Sequence, residues 1–139
     1  MSTLTSDDCS SVGRRSLKKI KESLRRDPHK IQPMIIKAIS NHDDELALCL
    51  LYWCPLDQRL SFQCLIATAN REKRKTLEDF LWIRSKNVGT KIFRNDCAWA
   101  LHVMRKGKVL DLKYTGSYDE KYGDDRLEVE KIEKYLDIY

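Results

Sequence analysis

The chain has 139 residues, 34% charged and 42% hydrophobic, with 26 Lys and Arg against 21 Asp and Glu but only 5 Gly and 3 Pro. That length fits one domain of roughly 100 to 150 residues; the apolar clusters exclude wholesale disorder, and the scarcity of Gly and Pro argues against a loop-rich sandwich or barrel. No apolar run reaches the roughly 18 residues that cross a bilayer, and MSTLTSDDCSSVGRRS lacks the apolar centre of a secretory signal, so the chain reads as soluble and not exported by the usual route.

Residues 1–13, rich in Ser, Thr and Asp without periodicity, read as a flexible tail, and 14–139 as a single helical domain. In GRRSLKKIKESLRRD, Leu17, Ile20 and Leu24 recur at helical spacing among seven Lys and Arg, which predicts a basic amphipathic helix ending before Pro28. The spacing predicts a second helix over Gln32–Ser40, broken at Asn41 and His42. Asp43, Asp44 and Glu45 then open a third, ELALCLLYWC, apolar almost all round and expected at the centre of the core. A fourth helix is expected from Leu60 to Ala69, an elbow over Asn70–Arg74, and a fifth helix over Thr76–Arg84 whose inner face carries Leu77, Phe80, Leu81 and Ile83. From Ser85 the sequence SKNVGTKIF reads as an exposed basic loop.

Asn95 and Asp96 are candidate caps for a helix running through Ala98, Leu101, His102 and Met104 to Arg105, Lys106 and Gly107. The competing reading is a β-hairpin near 99–114, with Trp99–Met104 paired to Val109–Tyr114. After a turn-forming run over Thr115–Asp124, a last amphipathic helix starts at Asp124 and Asp125, with Leu127, Ile132, Tyr135 and Leu136 facing inward. The fold class is therefore mostly α, an irregular helical bundle or a short array of helical hairpins.

Three segments, IIKAISNHDDELALCLLYW, CLIATANREKRKTLEDFLW and ALHVMRKGKVLDLKY, each place an apolar helix, an elbow and a second Leu-rich segment in succession, with elbows at Asn41, Asn70 and Gly107. With Asn41-His42, Asn70-Arg71 and Gly107-Lys108 where that family carries a Gly-His type of elbow, residues 31–114 resemble degenerate ankyrin-like repeats. Leu101-His102 matches the end of the family's Thr-Pro-Leu-His opening, which is otherwise absent, and the elbows are 29 and 37 positions apart. The resemblance implies an array of antiparallel helix pairs.

The five cysteines are odd in number, and four of them (Cys49, Cys54, Cys64, Cys97) stand in apolar segments, the pattern of reduced core thiols in a cytoplasmic or nuclear protein. Neither they nor His29, His42 and His102 show metal-ligand spacing, and the isolated glycines make no phosphate loop, so no cofactor and no metal are implied. No nucleophile has a base and an oxyanion site beside it, and a non-enzymatic chain is the expectation. Core packing is the default for Trp53, Trp82 and Trp99; an exposed one would be an anchor for a partner.

Net charge is +4 over 1–30, −2 over 31–70, +7 over 71–113 and −4 over 114–139. The candidate binding residues are Arg14, Arg15, Lys18 and Lys19 of the first helix, the elbow residues Arg71, Lys73, Arg74 and Lys75, the loop residues Lys86, Lys91 and Arg94, and Arg105, Lys106 and Lys108 at the next turn. If these loops share one end of the helices they form one positive surface for an acidic protein patch or for phosphates. The leading expectation is an intracellular interaction module, suited to a viral or host regulatory adaptor, presenting this surface to another protein. The alternative is a nucleic-acid-binding protein, helical or winged-helix-like, using the helix at 14–26 and the basic loops.

Overall fold

Local signals set where the helices of this computed structural model begin and end, and it describes residues 17–55, 59–87, 90–106 and 114–138. Among these the elements are α1 (17–26), α2 (Ile31–Ser40), α3 (Asp44–Trp53), α4 (Phe62–Arg71), α5 (Lys75–Arg84), α6 (Lys91–Lys106), the short α7 (Tyr118–Lys121) and α8 (Arg126–Asp137), with no strand. The protein is thus a mostly α bundle. The tail at 1–13 lies outside the described residues.

Asp27 accepts the His29 amide at 3.2 Å and Pro28 follows it, so α1 stops and a single 3-10 turn leads into α2. Asp43 caps α3 by accepting the Leu46 amide at 3.1 Å, and Ser61 caps α4 by accepting the Cys64 amide at 3.4 Å. The helices pair as two antiparallel hairpins, α2–α3 and α4–α5, each made of two ten-residue helices. The second hairpin copies the first at a register of 31 positions: α4 starts at 62 against 31 for α2, and α5 at 75 against 44 for α3.

The elbows copy each other too. His42 has φ 57° and Lys73 φ 59°. The Asp43 amide donates to the Ala38 carbonyl at 2.9 Å, as the Arg74 amide does to that of Ala69 at 2.8 Å. The second elbow is therefore Glu72–Arg74, two positions beyond Asn70, because α4 runs on through Arg71. Phe93 and Ala100 continue the 31-residue register of Ile31, Phe62 and of Ala38, Ala69, but α6 runs straight past the place where a third elbow would turn. Gly107 and Lys108 lie outside the described residues.

α3 sits at the centre, between α2 and α6, and buries Ala47 through Trp53. α4 runs parallel to α2, where Gln32 exchanges two hydrogen bonds with the Ser61 main chain at 3.0 and 3.3 Å. α6 is antiparallel to α3, and α8 is antiparallel to α6. One continuous core results, with Leu48, Leu50, Phe80, Trp99 and Tyr118 wholly buried. At about 25 cal/mol per Å² of apolar surface removed from water, side chains of this kind supply most of the driving force.

Several expectations need correction. Residues 99–104 are helical within α6, which excludes the hairpin and the winged-helix arrangement built on it; 107–113 lie outside the described residues. That helix starts not at Asn95 but four residues earlier, where Thr90 accepts the Phe93 amide at 3.2 Å. The expected loop from Ser85 is a 3-10 turn followed, from Lys91, by α6 itself. On α5 it is Arg84, not Ile83, that joins Leu77, Phe80 and Leu81 in the interior. On α8, Val129 and Leu136 face inward while Leu127 is exposed, one helical step off the buried row. Cys64 is exposed, whereas Cys49, Cys54 and Cys97 are buried.

Candidate interaction surfaces

The helix directions gather the α2–α3 elbow, the α4–α5 elbow, the end of α6 and the start of α8 at one end of the bundle. Here the sequence brings Lys and Arg together with the acids that start α3. Arg74 holds Asp44 through two bonds, Nε to Oδ1 at 3.0 Å and Nη2 to Oδ2 at 2.7 Å. Arg105 donates to Glu45 at 2.9 Å, Lys106 pairs with Glu128, Lys75 with Asp79 at 2.9 Å, and Arg71 approaches Glu72 at 3.7 Å. Five candidate cations therefore face five carboxylates. Lys73, exposed at the tip of its elbow, is the remaining described candidate at this end.

The other candidates lie elsewhere. α6 separates Lys91 from Lys106 by about 22 Å along its axis, so Lys86, Lys91 and Arg94 stand at the opposite end of the bundle. The three basic loops do not form one surface. Arg94 is half-buried and its Nη2 donates to the Cys54 carbonyl at 3.4 Å, while its Nε is buried without a hydrogen-bond partner. Lys18 and Lys19 are exposed on α1, and Arg14 and Arg15 lie outside the described residues.

At the corner between α5 and α6, at this second end, two apolar side chains stand in water. Trp82 near the end of α5 is 61% exposed and Ile92 at the start of α6 is 60% exposed. Lys86 and Lys91, both exposed, stand four residues beyond Trp82 and one before Ile92. Core packing, the default expected of Trp82, does not hold because the Leu77, Phe80, Leu81 stripe closes on an arginine; with Arg84 inside, position 82 falls on the outer face. Trp53 and Trp99 are buried, and each indole N–H is satisfied, by the Leu136 carbonyl at 3.0 Å and by Asp119 at 2.6 Å.

The interior titratable groups have structural roles. Buried Arg84 donates to the Tyr118 hydroxyl (2.9 Å), the Gly116 carbonyl (3.0 Å) and the Tyr114 carbonyl (2.7 Å), and stacks on the Tyr118 ring at 3.7 Å. Asp96 faces it at 3.6 Å; burial pushes the Asp96 carboxyl up to about 6 despite that arginine. Burial likewise pushes the Cys49 thiol up to about 12 and the Cys97 thiol well above its ordinary range, which suppresses the reactive thiolate. His102, buried on α6, meets Asp125 through Nε2 at 2.9 Å and Glu128 through Nδ1 at 3.6 Å. Asp125 thus anchors a side chain of α6 and makes no side-chain cap on α8.

Among the described residues, no three His, Cys, Asp or Glu side chains are grouped as a metal site requires, and no helix is long and apolar enough to cross a membrane. Comparison with protein-family models, with characterised proteins and with solved structures gave no match to this chain.

Proposed function

We propose that the protein is a non-enzymatic interaction module that binds another protein through the corner between α5 and α6. Trp82 is the anchor and Lys86 and Lys91 select a partner with acidic side chains around an apolar contact. The observation that carries this reading is the 61% exposure of Trp82 on a helix that buries Leu77, Phe80 and Leu81. Leaving an indole in water forfeits a large favourable transfer term, and interface hot spots are enriched in Trp. The basic elbows at the other end support it less well, since most of their charge is already met by Asp44, Glu45, Glu72, Asp79 and Glu128. The buried thiols of Cys49, Cys54 and Cys97 support an intracellular setting, cytoplasmic or nuclear.

A photoreactive residue placed at position 82 tests the reading. It is expected to cross-link a discrete partner, and Trp82→Ala is expected to weaken that partner's binding about thirtyfold, the effect of losing a hot spot of about 2 kcal/mol. Fluorescence anisotropy with generic RNA and DNA duplexes at low and physiological salt runs beside it. Binding to a duplex that survives physiological salt and fails in Lys86→Glu would move the partner class to nucleic acid. Unchanged partner binding in Trp82→Ala would remove the corner from consideration.

A further inference from the structure

The charge on α1 is crowded in a way that its neighbours do not balance. Lys18, Lys21 and Arg25 follow one another at three- and four-residue spacing, which puts them on one face of the helix. With Glu22 and Ile138 they line a half-open cleft of about 280 Å³ between α1 and the end of α8. That volume accommodates a phosphate group together with part of the molecule bearing it. Lys21 lies over the Trp53 ring, its Nζ 4.9 Å from the centroid, and is half-buried there.

Three cations line this cleft, and Arg94 of α6, outside its lining, adds a fourth positive charge within electrostatic range of Lys21 and carries a buried Nε with no hydrogen-bond partner. The nearby acids are Glu22 and Asp137, and the Asp137 carboxylate already accepts the Tyr52 hydroxyl at 2.8 Å. Burial first, and then repulsion from Arg25 and Arg94, pulls the Lys21 ammonium down to about 8. Ile138 adds an apolar wall that is 78% exposed.

We propose that this cleft is a phosphate-binding site, in which Lys18, Lys21 and Arg25 take a phosphate group and Ile138 packs against the organic part that carries it. A dianion entering between like charges removes their repulsion as it gains charge-assisted hydrogen bonds, so the crowding favours the bound state. The site does not depend on the Trp82 surface and would stand if that surface proved inert.

The test is an NMR titration of the full chain with inorganic phosphate, pyrophosphate and O-phosphoserine at physiological salt, followed through the amides of residues 17–26 and 134–138. Saturable shifts confined to these residues are expected, with Lys21→Gln and Arg25→Gln each weakening pyrophosphate binding at least fivefold and Lys37→Gln, on the exposed face of α2, leaving it unchanged. Arg25 is exposed, so its substitution keeps the test valid even where Lys21→Gln disturbs the packing on Trp53. Shifts that chloride reproduces at equal ionic strength, or full affinity in both variants, would overturn the site. Tighter binding of O-phosphoserine than of inorganic phosphate, lost in Ile138→Ser, supports the apolar wall; equal affinity for the two overturns that part.

Discussion

A guanidinium shut away from water is costly unless every donor finds a partner, and Arg84 is 2% exposed. Its Nε and both terminal nitrogens have oxygen acceptors, two of them main-chain carbonyls of the segment leading into α7. One arginine thereby ties α5 to a stretch of chain that has no regular hydrogen-bonded structure of its own. Asp96 supplies the counter-charge at 3.6 Å, but its Oδ2 is buried and lacks a hydrogen bond. The folded carboxyl therefore holds its proton up to about pH 6, against about 3.9 for an unfolded aspartate. Across that window the folded state binds more protons than the unfolded one, so this group's contribution to stability is full below about pH 4 and is lost as pH rises through 6. Asp96→Asn is expected to remove that descending contribution, on the order of 2 kcal/mol between pH 4 and 6. Urea denaturation of both proteins at pH 4.5 and 6.5 checks it: parallel changes in the two would show that Asp96 does not titrate in this way.

At the scale of elements, the repeated feature is an elbow built on a residue in the left-handed region. His42 and Lys73 occupy it without being glycine. An L side chain there costs roughly 1 to 2 kcal/mol against its right-handed conformation, whereas glycine visits it freely. Lys73 is exposed, so Lys73→Gly is expected to stabilise the protein by about 0.5 to 1 kcal/mol, once the greater freedom of glycine in the unfolded chain is set against the relief. A fall in the denaturation midpoint would contradict this. His42→Gly is a poorer probe because the imidazole meets Glu72 at 3.2 Å. The elbows also show what sequence reveals of this fold. Pro28, Asp43 and Pro55 mark helix limits because capping and proline act within a few residues. Asn70 was mistaken for a breaker because nothing local says that its side chain will reach Glu78 on the next helix and let α4 continue through Arg71. The early start of α6 rests on Thr90, a cap hidden by the Gly89 that precedes it.

Over the whole molecule the positive charge divides into two ends of different character, and the division was not legible in the sequence because it depends on contacts between positions about 30 to 60 apart. Arg74 reaches Asp44 across 30 positions and Arg105 reaches Glu45 across 60. Each pair joins the acidic start of α3 to a different part of the chain, so the acids that favour the helix dipole also close the bundle. Cations at the far end, on α1 and around Lys86 and Lys91, have no comparable set of carboxylates among the described residues. Charge reversal should therefore act differently at the two ends. Arg74→Glu places two carboxylates where a two-bond pair stood and should destabilise the protein by about 1 to 3 kcal/mol, while Lys86→Glu, on an exposed turn, should stay within about 0.5 kcal/mol. A double-mutant cycle through Asp44→Ala and Arg74→Ala isolates the pair itself. Its geometry and partial shelter put the coupling at about 1 to 2 kcal/mol, above the 0 to 1 kcal/mol of an exposed pair. Coupling near zero would mean that Arg74 is free to meet a partner after all, and the basic elbow would return as a binding surface. Coupling of the expected size makes any loss of binding in Arg74→Glu a consequence of loosening the contact between the two hairpins, which leaves Lys73, Lys86, Lys91 and the α1 cations as the charges available to a ligand.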